Sequence, residues 1–166
     1  MPKQSAGIVL YRFRGGVPQV FLVHPGGPFW KNKDLGAWSI PKGEYLDGED
    51  PLTVARREFQ EETGFTVDGP FTRLEPVRQP GGKVVSAWAV EGECDAARIT
   101  SNLFQMEWPP RSGRSAEFPE VDRADWFTLP EASEKILKGQ LGLLDQLQNL
   151  LGLPLPSGPP PKEMET

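Results

Sequence analysis

Two apolar stretches rich in β-branched residues open the chain, residues 5–12 (SAGIVLYR) and 19–24 (QVFLVH). The Arg-Gly-Gly-Val-Pro between them is turn material, so the pair reads as neighbouring strands, the second buried on both faces. Residues 37–40 form a short extended piece stopped by Pro41, and residues 42–49 a loop carrying Gly43 and Gly48. Helical spacing follows over 51–63, where Leu52, Ala55 and Phe59 share one arc. Asp50 suits the N-cap of that helix, Pro51 its first turn and Gly64 its exit. Residues 71–79 and 83–90 predict a hairpin around Pro80-Gly81-Gly82, and 103–108 and 123–129 two more strands separated by a Pro-Pro-Arg-Ser-Gly-Arg loop. Residues 130–138 and 141–151 have helical spacing, with Gly139 and Gly142 weakening the junction. No internal repeat is visible. Residues 153–166 (LPLPSGPPPKEMET) read as a proline-rich, disordered tail.

Length fits one domain, here residues 1–152, plus that tail: 166 residues can bury one substantial core. No run of eighteen apolar residues offers a membrane span, and the N-terminus lacks the basic and apolar regions of a signal peptide. Cys94 is the only cysteine, which excludes an internal disulfide and a cysteine metal site; a reducing cytoplasm is the simplest setting. A net charge of −5 argues against extended nucleic-acid binding but leaves room for a small phosphorylated ligand.

The helix over 51–63 changes the picture. Glu58, Glu61 and Glu62 stand at i, i+3 and i+4, so their carboxylates project from neighbouring points on its surface. Such like-charge pairs cost roughly 0.2–0.5 kcal/mol each in a bare helix. No lysine follows one turn on, and Arg57 precedes Glu61 in the weaker orientation. A hard divalent cation with oxygen ligands, Mg²⁺ in the first instance and Mn²⁺ as its substitute, would neutralise the cluster.

Gly43, Glu49, Arg57, Glu58, Phe59, Glu61, Glu62, Gly64 and Phe65 fall at the spacing G-x5-E-x7-REU-x-EE-x-GU, with U apolar. The run resembles the box of the Nudix hydrolase family at every defined position. That resemblance implies an α/β/α sandwich with a mixed central sheet. It also implies hydrolysis of a phosphoanhydride, with Glu61 and Glu62 as Mg²⁺ ligands and Glu58 as a third ligand or as the base that activates water. The backbone carbonyl of Lys42 would join the metal shell, while Glu49 and Arg57 tie loop to helix. A further carboxylate in relatives precedes a late tryptophan by six residues. Glu120, six before Trp126, is the candidate for base or extra ligand, with Glu117 behind it.

The segment WSIPKGE resembles the entry to the box in hydrolases of dinucleoside polyphosphates and diphosphoinositol phosphates. Lys42, and less so Lys31 or Lys33, would meet phosphates as point charges. Phe29, Trp30, Trp108 and Phe118 lie in predicted loops, where an aromatic face can stack on a base. Arg111 and Arg114 bracket Ser112-Gly113 as a possible phosphate clamp, and His24 ends a buried strand in a structural role. The stretch HPGGPFWKNKD and the region 103–120 are longer than in small nucleotide-cleaning relatives, so the substrate stays open. The expectation is a Mg²⁺-dependent pyrophosphohydrolase acting on a nucleoside triphosphate or a dinucleoside polyphosphate. Its alternatives are a nucleotide-binding regulatory module that does not hydrolyse, and an RNA 5′-end pyrophosphohydrolase.

Overall fold

A computed structural model of the chain describes residues 3–152. The expected tail, residues 153–166, lies outside them. Its centre is one mixed sheet in the order β4 (Thr72–Arg73), β6 (Val84–Glu91), β1 (Gln4–Arg14), β2 (Val17–Pro25) and β9 (Val121–Thr128). Only β1 and β6 run parallel; the other pairs are antiparallel. β3 (Lys42–Tyr45) pairs with the first residues of β1, while β2 takes its last four, Tyr11 to Arg14. The sheet therefore splays where β2 and β3 part, and Trp38–Pro41 crosses the gap, bridged through Ser39 to Val23.

Alternation along β1 sends Ile8 and Leu10 to one face and Val9 to the other, all fully buried. On the first face packs α1 (Pro51–Thr63), through Val54, Ala55 and Phe59 against Ile8 and Phe21. On the second pack α2 (Leu129–Lys135) and α3 (Leu141–Leu150), with Ala132, Leu143 and Leu147 meeting Val20, Leu22 and Val85. This is the three-layer α/β/α sandwich with a mixed sheet.

Four local differences from the sequence reading have physical causes. The stretch 42–49 opens as strand β3 because Lys42–Tyr45 finds the free edge of β1. Residues 71–79 are broken into β4 and β5 (Val77–Arg78), each two residues long and both paired with β6. The helix expected over 130–138 stops at Lys135, where Ile136 leaves for an extended conformation and bridges Trp38; a 3₁₀ turn, Lys138–Gln140, follows. Finally, β7 (Leu103–Glu107) is not a lone strand: β8 (Ser115–Pro119) folds back on it to make a hairpin outside the main sheet.

Candidate active site

Helix α1 is built as its sequence implies. The Asp50 carboxylate accepts from the Thr53 N–H (3.1 Å), Pro51 sits in the first turn, and Gly64 terminates the helix at φ 83° with its N–H on the Gln60 carbonyl. The buried stripe Ala55–Phe59 continues into Glu62, one turn on, which keeps only 9% of its surface. Glu58 and Glu61 flank it with rising exposure, so the three carboxylates occupy three different environments.

Arg57 lies among Glu49 (3.7 Å), Glu58 (3.6 Å) and Glu61 (3.7 Å). The other Glu49 oxygen accepts the Leu46 N–H at 2.8 Å, so Glu49 and Arg57 join the loop after β3 to the helix. Gly43 permits a close approach: a Cβ there would sit 2.1 Å from the Glu58 carboxyl carbon and would push that side chain aside. The strand thus runs against the carboxylates with no side chain between.

Oxygen atoms of Glu58, Glu62 and Glu120 lie within 4.8 Å of one another. Glu120 reaches the helix from just before β9. Its N–H donates to the Asn102 carbonyl (2.8 Å), its carbonyl accepts from Gly26 (2.9 Å), and Asn102 in turn donates to the carbonyl of Glu61 (2.9 Å). Main-chain bonds therefore tie the Glu120 segment to the last turn of α1. Glu61 is directed to Arg57 and stands outside the group of three, though its charge acts on Glu58 and Glu120.

Burial, and then the charge of Glu58, pushes the Glu62 carboxyl up to about 8, against the pull of Lys42. Glu58 and Glu120 are raised as well, each by burial first and the charge of Glu61 second. Three hard-oxygen donors that close, each disfavoured as an unpaired anion, fit a divalent cation of the Mg²⁺ or Mn²⁺ type.

Beside the cluster opens a cavity of about 230 Å³, walled by Val23, Trp30, Ile40, Lys42 and Leu137 and floored by Glu62 and Glu120. It occupies the splay between β2 and β3. Burial lowers the pKa of Lys42, the neighbouring charge of Lys83 adds to this, and its main chain hydrogen-bonds Glu62. Lys33 places its ammonium 5.3 Å from the Trp30 ring centre. Phe29 lies outside this cavity, exposed and edge-on to Trp108 with centroids 5.5 Å apart. Arg111 and Arg114 are exposed at the β7–β8 tip with Lys31 exposed on the facing loop, Phe118 packs on Phe104, and Glu117 is exposed in β8. His24 is fully buried; its Nε2–H donates to the Lys33 carbonyl (2.6 Å) and Nδ1 faces the Asp122 carboxylate (2.8 Å).

Sequence reasoning missed Gln140. Fully buried, it accepts from the Ile40 N–H (3.1 Å) and donates to Ser39 and to Gln79 (both 3.0 Å), pinning the segment that walls the cavity. No pattern announces it; a lone glutamine in a 3₁₀ turn carries no signal.

A three-layer sandwich whose helix and late loop converge three carboxylates beside a cavity lined by Lys42, Glu62 and Glu120 suits a hydrolase of phosphorylated compounds. The chain belongs to the Nudix family: the NUDIX domain model matches residues 1–147. It is 26% identical over 147 residues to an RNA pyrophosphohydrolase of Bartonella henselae, covering 77% of this chain and 79% of that protein. It is 28% identical over 107 residues to a CMP-5′-(N-acetyl-N-hydroxy-3-aminopropyl)phosphonate hydrolase of Streptomyces rubellomurinus, covering 64% of this chain but under half of that protein, 45%. The Ap4A hydrolase of C. elegans, solved as a binary complex, shares the fold at TM-score 0.62 and 23% identity, over 89% of this chain and 98% of that one. Family membership and hydrolase-named relatives support the expected enzyme class, a hydrolase of phosphoanhydrides. Among the described residues no helix is long and apolar enough to cross a membrane.

Proposed function

We propose that the chain is a Mg²⁺-dependent pyrophosphohydrolase that cleaves a phosphoanhydride bond in a nucleoside diphosphate linked to another moiety, a nucleoside triphosphate or a dinucleoside polyphosphate. The observation that carries this reading is the convergence of Glu58, Glu62 and Glu120 within 4.8 Å, the last two at the floor of a cavity lined by Lys42 and Trp30. When bound, a divalent cation supplies neutralisation of phosphate charge and acidification of water. Glu58 and Glu62 would hold it, with Glu61, which faces Arg57 here, and the Lys42 carbonyl of β3 as further candidate ligands. Glu120 takes the proton of the attacking water, a role its approach from a separate segment and its raised pKa both suit. Arg57 and Glu49 keep the box loop in register with the helix. Lys42 faces phosphate oxygens, and Trp30 packs against the base. The hydrolytic core residues are intact, which favours catalysis over a binding-only module. The net charge of −5 favours small nucleotides over RNA ends and accords with a cytoplasmic enzyme of the nucleotide pool.

The test is a substrate panel with phosphate-product analysis, run with Mg²⁺ and with chelator. Metal-dependent release of mononucleotides from ATP or diadenosine tetraphosphate is expected. Binding of either compound without turnover, with any metal, would instead establish the regulatory-module reading.

A further inference from the structure

The β7–β8 hairpin is the largest element that the proposed chemistry leaves unused. A two-stranded ribbon is marginal by itself, so its attachments are informative. At its base, Asn102 and Glu120 bond to each other, Asn102 to Glu61 and Glu120 to Gly26. Along its inner face, Phe104 packs on Phe118 and would meet a side chain placed at Gly27 at 3.1 Å. At its far end, Trp108 meets Phe29 of the facing loop edge-on. The ribbon is thus fixed to the floor of the cavity at one end and, at the other, to the loop that carries Trp30.

Its tip is organised around charge. Both oxygens of Glu107 are occupied by main-chain donors, Arg111 at 3.1 Å and Gly113 at 3.0 Å, and so are not spent on the arginines. Arg111 is held at φ 60°, the one non-glycine residue in the left-handed region among those described. Strain of this kind persists where surrounding structure imposes it and is commonest at sites of function. Arg111 and Arg114 are both exposed, and neither guanidinium has an ion-pair partner among the described residues.

Phe29 is three residues from Gly26, whose N–H holds the Glu120 carbonyl, so their Cα atoms are at most about 11 Å apart. Phe29 is 59% exposed, and its neighbour Trp30 walls the cavity. One loop therefore offers an aromatic ring inside the cavity and another outside it. An edge-to-face pair leaves a ring face open for stacking, and free guanidiniums at the tip of the same hairpin suit the anionic link that would join the two positions.

We propose that Phe29 and Trp108, with Arg111 and Arg114, form an outer subsite for a second nucleobase at the far end of a polyphosphate. This subsite makes dinucleoside polyphosphates the preferred substrate class over mononucleotides. The inference rests on the hydrolytic reading above and narrows it to one substrate class.

The experiment compares kcat/KM for diadenosine tetraphosphate with that for ATP and for a short 5′-triphosphate RNA, in the full chain. Equilibrium binding of diadenosine tetraphosphate is measured separately in chelator, where no turnover occurs. Phe29→Ala should lower the tetraphosphate-to-ATP ratio of kcat/KM on the order of tenfold, the loss expected for removing one stacked base. It should weaken binding in chelator to match, and Phe29→Trp should keep both. Arg111→Gly, which fits the left-handed backbone, and Arg114→Ala should lower the ratio in the same direction. An unchanged ratio in all variants, or a loss confined to RNA, overturns the subsite. Should the wild type hydrolyse no phosphoanhydride, Phe29-dependent binding in chelator would uphold the subsite while the hydrolytic reading fell.

Discussion

Glu62→Gln isolates what burying the central carboxylate costs. Glu62 is 9% exposed and its carboxyl is raised from the ordinary 4.5 to about 8. A carboxyl raised on folding binds its proton more tightly in the native state. The stability that this group contributes to the metal-free protein is therefore full below pH 4.5 and is lost as pH climbs towards 8, at about 1.4 kcal/mol per pH unit. Between pH 5 and pH 7 that amounts to roughly 3 kcal/mol for this group alone. Glutamine keeps the volume and removes the titration. In chelator, Glu62→Gln should unfold with a free energy close to wild type at pH 5 and exceed it by up to roughly that amount at pH 7. Mg²⁺ should then invert the order. A cation at one hundred times its dissociation constant stabilises the wild type by about 2.7 kcal/mol, whereas the variant, short of a ligand, should gain far less. The assay is urea unfolding at the two pH values, with chelator and with saturating Mg²⁺. Wild type and variant curves that stay parallel with pH in chelator, and shift equally with Mg²⁺, would refute both the burial argument and the metal assignment.

Two further outcomes follow from the same geometry. Glu120→Gln should cut kcat by on the order of 10²-fold with KM nearly unchanged; a small effect paired with collapse in Glu58→Gln would move the base onto the helix. Arg57→Ala and Glu49→Gln should each weaken Mg²⁺ binding by calorimetry, and the double variant should lose less than the two singles combined, because they meet at 3.7 Å; additive losses would show that the pair is uncoupled.

Much of this molecule was legible in its residues because the relevant interactions are local. The α1 cap at Asp50, the exit at Gly64 and the carboxylates at i, i+3 and i+4 lie within a few turns of one helix, where periodicity alone places side chains. The β7–β8 pairing escaped because Ser115–Pro119 is only five residues long and ends in a proline. The cavity wall escaped for another reason. Ile40 is fixed by Gln140, a hundred residues away, and Val23 meets Ser39 only because β2 and β3 part at that point. Contacts of such range leave no pattern in sequence. Glu120 was placed by its resemblance-based offset from Trp126; the bonds through Asn102 that hold it beside the helix were not readable.

The site gathers several electrostatic faults in one helical turn. Glu58, Glu61 and Glu62 repel one another at helical spacing. Glu61 and Glu62 occupy the last turn of α1, where the helix dipole is already negative and no basic residue compensates. Glu62 continues the buried apolar stripe, where a carboxylate is least at home. Arg57 is the only guanidinium among them, half exposed and at 3.6–3.7 Å from each partner, a range in which a surface ion pair is worth little. A folded domain has only about 0.05–0.15 kcal/mol of stability per residue to set against such costs. Elsewhere local preference and fold agree: Asp50 caps, Thr128 and Glu131 form a capping box, and β1 alternates between two apolar cores. Like-charge crowding of this density in one turn, of a kind that a single divalent cation would relieve, is what a cation-binding site would require of its residues. It is the reason the proposed metal ligands can be argued from charge and burial before any relative is consulted.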